Sequence, residues 1–257
     1  MQALVDIGNT RIKWALYDGG GLLAQGGAVH RGGVDAALGQ LAAALPGNLT
    51  RVVVANVAGD GFAQQLRAAV GARAPVQFVA PSAERFGVRC AYAEPRRLGV
   101  DRWVALLAAH RRARGAACVI DAGTAATFDA VAADGAHLGG LILPGARLLA
   151  AALHHNTSDI GATPPPPSAP QGLGLLGRDT ASAVGHGAML ALAAALDRAV
   201  RTVAAALGVV PKVYLTGGDA AQLRDWLETQ VETRADLVLE GLALFAAEPV
   251  SPQVEDR

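Results

Sequence analysis

The sequence predicts an α/β fold made of two related halves. Short strand patterns alternate with helical patterns along the 257 residues, as in sheets covered by helices. An apolar run that ends in an Asp-x-Gly turn occurs twice, at Asp6 near the start and at Asp121 in mid-chain. In addition, 52% of the residues are hydrophobic but only 4% are aromatic. The core must therefore rest on Ala, Val and Leu, which favours helices packed closely on a sheet.

A chain of this length forms one large domain or two small ones, and the repeated turn favours two similar halves. We place these halves at residues 1–95 and 96–257. Each half is expected to contain one of the two turns.

The first half has the predicted order of three strands, a helix, a strand, a helix and a strand. Alternation in residues 11–17 puts Ile12, Trp14 and Leu16 on one face of a strand. The segment 51–57 is apolar enough to be buried on both faces. The predicted strands are 3–5, 11–17, 22–29, 51–57 and 76–79, and the predicted helices are 34–45 and 62–70.

The second half repeats this order in outline, after a helix that begins at residue 99. Residues 161–177 contain Pro164 to Pro167 in a row, which excludes helix or central strand and predicts an irregular loop. The tail from Glu248 is expected to be loose. The predicted strands are 117–121, 124–131, 137–143 and 213–216, and the predicted helices are 145–155, 178–207 and a last one that ends at 227.

Each Asp-x-Gly turn has the features of a phosphate-binding loop. The aspartate places a carboxylate at the tip of a buried strand, and the glycine lets backbone N–H groups approach an anion closely. Two such turns that face each other could hold the phosphates of a nucleotide from both sides, with an aspartate at each for a metal ion or its waters. The pair of turns therefore points to phosphoryl transfer.

A third carboxylate, Asp101, lies in the first turn of a predicted helix that opens with Gly99-Val100. An aspartate at this position commonly does no more than offset the helix dipole. In the context of the two turns, an ionised carboxylate is also able to accept the proton of a hydroxyl group that attacks a γ-phosphate. Arg102 beside it is able to pair with a carboxylate or phosphate of a small substrate.

Charge and cysteine content disfavour several other classes of protein. The 22 Lys and Arg residues balance the 22 Asp and Glu residues, so there is no net basic field to hold a nucleic acid or an anionic membrane. Cys90 and Cys118 form no CxxC motif and suggest neither a disulfide framework nor a zinc site. Charged residues interrupt the most apolar stretch, 188–210, and signal-peptide features are lacking. We therefore expect a cytoplasmic protein without nucleic-acid or membrane partners.

Together, these motifs resemble those of the type III pantothenate kinases, also called the Bvg accessory factor family. The resemblance covers nearly the whole chain, and the joint order and spacing of the motifs is specific although each is short. It rests on 6–10 with Lys13, 99–102, 121–125 with Thr127 and Asp129, Gly139-Gly140 with Ile142 and Pro144-Gly145, and 216–219. It implies the duplicated ribonuclease H-like fold of the acetate and sugar kinase, Hsp70 and actin superfamily. It also implies ATP-dependent phosphorylation of pantothenate to 4′-phosphopantothenate, the first committed step to coenzyme A.

The resemblance implies that Asp101 is the catalytic base, and that Tyr92, Gly99, Val100 and Arg102 line the pantothenate pocket. It further implies that ATP contacts the second loop at Thr124 and the first loop along its whole length. The residues of the first loop are Asp6, Ile7, Gly8, Asn9, Thr10, Arg11, Ile12 and Lys13.

The resemblance also implies two ions and a second subunit. Asp121 matches the carboxylate assigned to a monovalent cation, K⁺ or NH₄⁺, and Asp6 is a partner for Mg²⁺ through water. Thr180 matches a threonine that reaches pantothenate from the other subunit. The site is thus expected to be completed in a homodimer.

Several residues have a plainer interpretation beside the functional one. Lys13 either stabilises phosphate charge or is an exposed strand lysine, and residues 216–219 form either an adenosine-side loop or an ordinary strand-to-helix turn. The Ala-rich helix 181–207 either forms the dimer interface or packs on its own sheet. Adjacent histidines at 154 and 155 point in different directions on a helix and are poor candidates for a metal site.

Two segments depart from the pattern of the family. Ser158 to Gly161 stand where the family usually has a Leu-Pro pair, and Asp179 replaces a more usual neutral residue before Thr180. Both changes lie beside the expected pantothenate pocket or subunit contact. They affect expectations about substrate closure but not about the phosphate loops.

Three alternative functions remain open at the level of the sequence. The first is a regulator without catalysis that keeps the nucleotide fold and assists transcription, although no helix-turn-helix with a basic face is evident. The second is a kinase of another small hydroxy acid. The third, an actin-like filament former, is disfavoured because the chain is short. The intact Gly99-Val100-Asp101-Arg102 motif favours the enzyme.

Overall fold

Two five-stranded sheets with helices packed on them form the framework of the chain. The computed structural model describes residues 1–162 and 168–249, and these residues group into two compact units. Unit 1 comprises Met1–Ser82, Glu94–Ala108 and the described residues from Val238 onward. Unit 2 comprises Ala83–Ala93 and Ala109–Leu237.

The described residues form twelve strands and seven α-helices, with short 3₁₀ turns at Pro95–Arg97 and Gly172–Leu175. In chain order they are β1 (Gln2–Ile7), β2 (Arg11–Tyr17), β3 (Leu22–Val29), α1 (Val34–Ala44), β4 (Arg51–Asn56), α2 (Asp60–Val70), β5 (Val76–Phe78), β6 (Glu84–Arg85), β7 (Val88–Arg89), α3 (Val100–Ala113), β8 (Ala117–Ala122), β9 (Ala125–Val131), β10 (His137–Pro144), α4 (Ala146–Asn156), α5 (Thr180–Leu207), β11 (Lys212–Thr216), α6 (Ala220–Arg224), β12 (Glu232–Thr233) and α7 (Leu237–Ala246).

The two sheets have the same strand order. The sheet of unit 1 runs β3-β2-β1-β4-β5, and the sheet of unit 2 runs β10-β9-β8-β11-β12. In each sheet the central strand pairs antiparallel with the strand that follows it and parallel with its other neighbour. The duplicated α/β architecture expected from the sequence is therefore confirmed.

Alternating side chains build the core of each unit. Ile12 and Trp14 of β2 lie in the core of unit 1 and Leu16 packs against it, as the alternation predicted. In unit 2, apolar residues of β8 and β9 pack against the inward face of α5, which includes Met189 and Leu192. The Ala-rich helix thus packs on its own sheet along one face.

The compact units divide the chain differently from the predicted halves at residues 1–95 and 96–257. Helix α7 returns to unit 1, where a Cβ added at Gly241 would overlap the carbonyl oxygen of Val104 in α3. Arg51 at the start of β4 also donates hydrogen bonds to the carbonyl groups of Phe245 and Ala246. Unit 1 therefore contains segments that are distant in sequence. The boundary between the two predicted halves at residue 95 stays a prediction.

Most predicted elements are present, with some differences at their ends. Helix α6 ends at Arg224 rather than at 227, and α5 begins at Thr180 because Asp179 caps it. The sequence did not predict α7 or the short strands β6, β7 and β12. Part of the predicted proline-rich loop, Pro164 to Pro167, lies outside the described residues, as does the tail beyond residue 249.

Candidate active site

Asp6 and Asp121 occupy the same position in the two sheets. Each is the penultimate residue of the central strand, β1 or β8. On the neighbouring antiparallel strand, Asp6 is paired with Lys13 and Asp121 with Thr127. Both aspartates are half-buried. The repeat seen in the sequence is therefore a repeat of strand ends and of the turns that follow them.

The first loop is a tight turn between β1 and β2. The N–H of Gly8 donates to the carbonyl oxygen of Arg11 at 3.0 Å. The side chains of Ile7 and Ile12 are fully buried in the core. These two residues are therefore able to offer only backbone groups to a ligand.

The polar residues of the first loop differ in exposure. Asn9 and Arg11 are exposed, whereas Thr10 and Lys13 are half-buried. Lys13 stands directly across the ladder from Asp6, where side chains of paired residues project from the same face of a sheet. Lys13 therefore lies beside the strand-end carboxylate and is not a solvated edge lysine.

His30 is a structural partner of the first loop that sequence reasoning missed. Its Nε2 lies 2.7 Å from the carbonyl oxygen of Gly8, and its backbone N–H donates to the carbonyl oxygen of Thr10 at 3.0 Å. The ring is 7% exposed and packs edge-on against Phe62, with 4.8 Å between the ring centroids. His30 therefore ties the end of β3 to the loop, a role that the sequence does not signal because both acceptors are backbone groups.

The second loop, between β8 and β9, is braced by the glycine that precedes α4. The N–H of Gly123 donates to Ala125 at 3.1 Å, and the N–H of Gly145 donates to Thr124 at 3.0 Å. A Cβ at Gly145 would overlap the carbonyl oxygen of Gly123. Thr124 itself is exposed, so its hydroxyl is accessible.

Residues 216–219 close on the second loop from the side of β11. The N–H of Asp219 donates to the carbonyl oxygen of Ala122 at 2.9 Å. Gly217 has a φ of +98°, and an added Cβ would overlap the carboxylate of Asp121. Arg147 of α4 forms an ion pair with Asp219 at 3.1 Å. This segment is therefore part of the surroundings of Asp121, more than an ordinary strand-to-helix turn.

Asp101 lies in the first turn of α3. Its Oδ1 accepts a hydrogen bond from the N–H of Arg102 at 2.7 Å, and it lies 2.7 Å from the point that a Cβ on Gly99 would occupy. The carboxylate thus folds back over a residue without a side chain. Val100 and Arg102 are buried, at 7% and 8% exposure. The first loop and Asp101 both belong to unit 1.

Tyr92 and Thr180 belong to unit 2, with Asp121 and Thr124. Tyr92 is half-buried, and its ring is nearly parallel to that of His137, with 6.1 Å between centroids. Thr180 is the exposed first residue of α5. The predicted substrate residues are thus distributed over both units, and each unit contains one of the two Asp-x-Gly turns.

The segment that departs from the family pattern after α4 is anchored. His154 Nδ1 lies 2.7 Å from the carbonyl oxygen of Ile160, and Ile160 packs against Ala150 and Val184. His154 is therefore engaged in a local hydrogen bond to the segment that follows α4.

The oxygen donors at Asp6 and Asp121 suit hard cations. Beside Asp121, both an oxygen of its carboxylate and the carbonyl oxygen of Ala122 lie close to Gly217, and oxygen atoms are the ligands that hard cations prefer. Within residues 1–162 and 168–249, no group of three or more His, Cys, Asp or Glu side chains is arranged to hold a metal ion. A divalent ion at Asp6 would therefore depend on substrate phosphates and water for most of its ligands, as Mg²⁺ commonly does in kinases.

Both cysteines are free thiols. Cys118 is buried in β8, and burial raises the pKa of its thiol to about 12. It is therefore protonated and unreactive at neutral pH.

None of the helices among the described residues is both long enough and apolar enough to cross a membrane.

Solved structures with the same fold include one protein assigned as a kinase and one assigned as a Baf family transcriptional activator. The chain superposes on a Campylobacter jejuni protein assigned as a Baf family transcriptional activator, with a TM-score of 0.55, 20% identity and coverage of 93% and 94% of the two chains. It superposes on a Sinorhizobium meliloti protein assigned as a 2-dehydro-3-deoxygalactonokinase, with a TM-score of 0.57, 18% identity and coverage of 97% and 100%. At this level of identity the likeness concerns the fold, which is the duplicated ribonuclease H-like fold expected above.

Sequence comparison is more specific. Residues 3–202 match the family described as type III pantothenate kinase. The chain is 40% identical over 255 residues to a type III pantothenate kinase of Nitrosococcus oceani, covering 96% of this chain and 94% of the relative. It is 42% identical over 249 residues to one of Aromatoleum aromaticum, covering 96% and 98%. With the paired strand-end aspartates and the intact Gly99-to-Arg102 motif, these matches show that the chain belongs to the type III pantothenate kinase family.

Proposed function

We propose that this chain transfers the γ-phosphoryl group of ATP to the 4′-hydroxyl group of pantothenate, the first step of coenzyme A biosynthesis, with Asp101 as the base. The observation that carries the proposal is the equivalence of Asp6 and Asp121 at the ends of the two central strands, together with Asp101 in the first turn of α3. Two strand-end turns provide backbone donors for phosphates, and a separate carboxylate is available for the acceptor alcohol.

The reaction is an in-line displacement. The Asp101 carboxylate accepts the hydroxyl proton while the oxygen forms a bond to the γ-phosphorus, and the bond to the bridging oxygen of ADP breaks. The first loop, 6–13, contributes N–H groups and Lys13 to the phosphates of ATP, and Thr124 contributes its hydroxyl from the second loop. Little covalent chemistry is required of the protein, so positioning and charge stabilisation dominate.

Two cations complete the proposed site. Asp6 would hold Mg²⁺ through water, and Asp121 would hold K⁺ or NH₄⁺ next to the Ala122 carbonyl. When bound, these ions offset the negative charge that the phosphates carry through the reaction.

The pantothenate pocket is proposed to contain Tyr92, Gly99, Val100 and Arg102, with Thr180 contributed by a second subunit. Supporting the homodimer, α5 buries one face on its own sheet and exposes a second face of mostly small residues around Leu190, on which another helix could pack. That exposed face contains Ala183, Gly187, Ala191 and Ala194. We also propose a cytoplasmic location, where ATP is available as co-substrate.

A coupled assay of ADP release tests the activity. Purified protein with ATP and Mg²⁺ is expected to release ADP only when pantothenate is added, and faster with potassium chloride than with sodium chloride. Other small hydroxy acids in place of pantothenate test the kinase alternative. If no pantothenate-dependent ADP release is seen in either potassium chloride or sodium chloride, the proposal is wrong and a regulator without catalysis is favoured.

Replacement of the base provides the sharpest mutational test. Asp101→Asn keeps the size of the side chain but removes its capacity to take a proton, so kcat should fall by at least about a hundredfold. ATP affinity, measured by equilibrium dialysis, should stay within about twofold of wild type because the first loop is unchanged. An Asn variant with near wild-type kcat would place the base elsewhere.

A further inference from the structure

We propose that His137 is a positioning residue for the pantothenate pocket, which it controls by fixing the backbone at Ala91 and the ring of Tyr92. The inference rests on the proposed function, since it takes Tyr92 to be a pantothenate contact. His137 lies at the start of β10, and its side chain is fully buried within unit 2.

The hydrogen bonds of His137 determine which ring nitrogen carries the proton. The N–H of Ala91 donates to Nδ1 at 3.3 Å, so Nδ1 must be the acceptor. On the other side of the ring, Nε2 lies 3.2 Å from Oδ1 of Asp129, a buried carboxylate on the paired strand β9. Nε2 therefore carries the hydrogen and donates it to Asp129, which orients the ring and keeps Nδ1 as an acceptor.

The same ring supports Tyr92 directly. The rings of Tyr92 and His137 are inclined by 11°, and their centroids are 6.1 Å apart, within the range of offset stacking. The buried side chain of His137 thus contacts two consecutive residues of the segment 87–92, at the backbone of Ala91 and at the ring of Tyr92.

Backbone hydrogen bonds and an exposed ion pair also hold this segment, residues 87–92. Arg89 donates its N–H to the carbonyl oxygen of Gly135 at 2.9 Å, and its guanidinium pairs with Asp134 at 2.8 Å. That ion pair is exposed, so solvent screens it and it contributes little to holding the segment. Gly135 has a φ of +84°, and an added Cβ would overlap the Gly87 carbonyl oxygen. The turn between β9 and β10 is therefore a docking surface for residues 87–92, with His137 as its buried side-chain anchor.

Two substitutions separate the two hydrogen bonds of His137. In His137→Asn, the side-chain oxygen lies near the former Nδ1 position and is able to accept from Ala91, but the donor to Asp129 is lost. In His137→Gln, the amide nitrogen lies near the former Nε2 position and donates to Asp129, but Ala91 loses its acceptor. If the proposal is right, the Gln variant should raise KM for pantothenate by about tenfold, because the backbone at Ala91 loses the part-buried hydrogen bond that holds it beside Tyr92. The Asn variant should recover most of that loss.

A comparison of KM for pantothenate with KM for ATP distinguishes a positioning role of His137 from general damage to the fold. KM for ATP should stay within about twofold of wild type in both variants, because the contacts of His137 with Ala91, Asp129 and Tyr92 involve no residue proposed to bind ATP. Arg89→Gln is the matched control: it removes the exposed ion pair of the same segment and should leave KM for pantothenate unchanged. Equal changes in both KM values, or a wild-type KM for pantothenate in His137→Gln, would overturn the proposal.

Tyr92→Ala separates failure of this inference from failure of the proposed pocket. If Tyr92→Ala leaves KM for pantothenate unchanged, the assignment of Tyr92 to the pocket is wrong and the inference falls with it. If Tyr92→Ala raises KM but His137→Gln does not, only the inference fails. Hydrogen exchange supplies a readout without activity: amides of residues 88–93 should exchange faster in the Gln variant than in wild type.

The wild-type protein gives an answer even where a variant does not fold. With ¹⁵N-labelled histidine, the side chain of His137 should show its hydrogen on Nε2, with Nδ1 as the acceptor. A ring with hydrogen on Nδ1 would contradict the proposal, because that nitrogen could no longer accept from Ala91.

Discussion

At the scale of single residues, Gly99 shows how one missing side chain makes room for the carboxylate of Asp101, the proposed base. The Asp101 carboxylate folds back to accept the N–H of Arg102, and its Oδ1 occupies space that a Cβ on Gly99 would need. A side chain at Gly99 would displace the end of Asp101 rather than the backbone. The glycine therefore determines where the carboxylate points.

Gly99→Ala should reduce kcat by roughly tenfold to a hundredfold, because a displacement of about 1 Å at a reacting group has effects of this size. The melting temperature should change little, since the displaced group is a flexible side-chain end. Steady-state kinetics and thermal unfolding measure the two effects. Gly39→Ala in α1 is the matched control, since a Cβ there meets nothing within 4 Å. A Gly99→Ala variant with wild-type kcat would show that the carboxylate orientation is not required.

Arg51 illustrates a residue whose importance is structural. It is 4% exposed, and its Nη2 donates to the carbonyl oxygens of Phe245, Ala246 and Glu248 at the end of α7. Carbonyl groups at the end of a helix lack a full following turn to pair with, although that of Phe245 also accepts the N–H of Glu248 at 3.3 Å. The guanidinium therefore caps α7 and joins it to β4.

Arg51→Met should lower the free energy of unfolding by about 2–3 kcal/mol, because several buried carbonyl groups lose a charged donor. Urea unfolding measures the change. Arg67→Met is the control, because Arg67 is exposed and makes only a long hydrogen bond to Val76 and a contact over the ring of Phe78 among its described side-chain contacts. Equal destabilisation by the two substitutions would contradict the capping role.

Residues at strand ends could be predicted from the sequence, whereas their supporting residues could not. Asp6 and Asp121 each end an apolar strand pattern, and Asp101 opens a helical pattern, so the sequence alone places each of them in an element. His30, His137 and Arg51 act on backbone groups of segments far along the chain, and backbone groups carry no sequence signal. Their roles depend on hydrogen bonds that exist only in the folded structure.

At the scale of elements, the start of α5 explains one departure from the family pattern. Asp179 is the N-cap of this helix: it accepts the N–H of Ser182 at 2.8 Å and the Ser182 hydroxyl at 2.7 Å. The backbone hydrogen bond from Ser182, followed by its hydroxyl, lowers the pKa of the Asp179 carboxyl below its usual value. The aspartate thus fixes the point at which Thr180 begins the helix.

This capping interaction predicts a pH dependence of stability. Because the pKa of Asp179 is lower in the folded than in the unfolded protein, its stabilising effect is fully present above the unfolded value of about 3.9 and is lost as pH falls through the folded value. Asp179→Ala should therefore have a lower urea midpoint than wild type at pH 7 and at pH 5. The difference should shrink at about pH 3. Ser182→Ala should have a smaller effect, since the backbone donor remains. A difference that grows on acidification would contradict the account.

Regular elements with clear periodicity were predicted well, and short or uniformly apolar ones were not. The strands around both turns alternate or form apolar runs between turn residues, so their order could be derived. Helix α7, with the sequence LVLEGLALFA, is apolar on nearly all sides and lacks the amphipathic period of a surface helix. Strands β6, β7 and β12 have two residues each, too few for any pattern.

At the scale of the whole molecule, duplication is the organising feature. Two sheets with one strand order each present an aspartate at the same strand end, followed by a glycine-containing turn. The sequence revealed this repeat because the turns are similar. It could not reveal that α7 and part of α3 join unit 1, because that arrangement depends on contacts between segments distant in the chain.

The most direct test of the account is transfer of labelled γ-phosphate from ATP to pantothenate by the wild-type protein, Asp6→Asn and Asp121→Asn. The wild type should form labelled 4′-phosphopantothenate. Each variant should do so at least about a hundredfold more slowly, the usual effect of removing one charge-stabilising group. No labelled product from the wild type, or a wild-type rate from either variant, would contradict the claim that both halves of the duplicated fold serve one phosphoryl transfer.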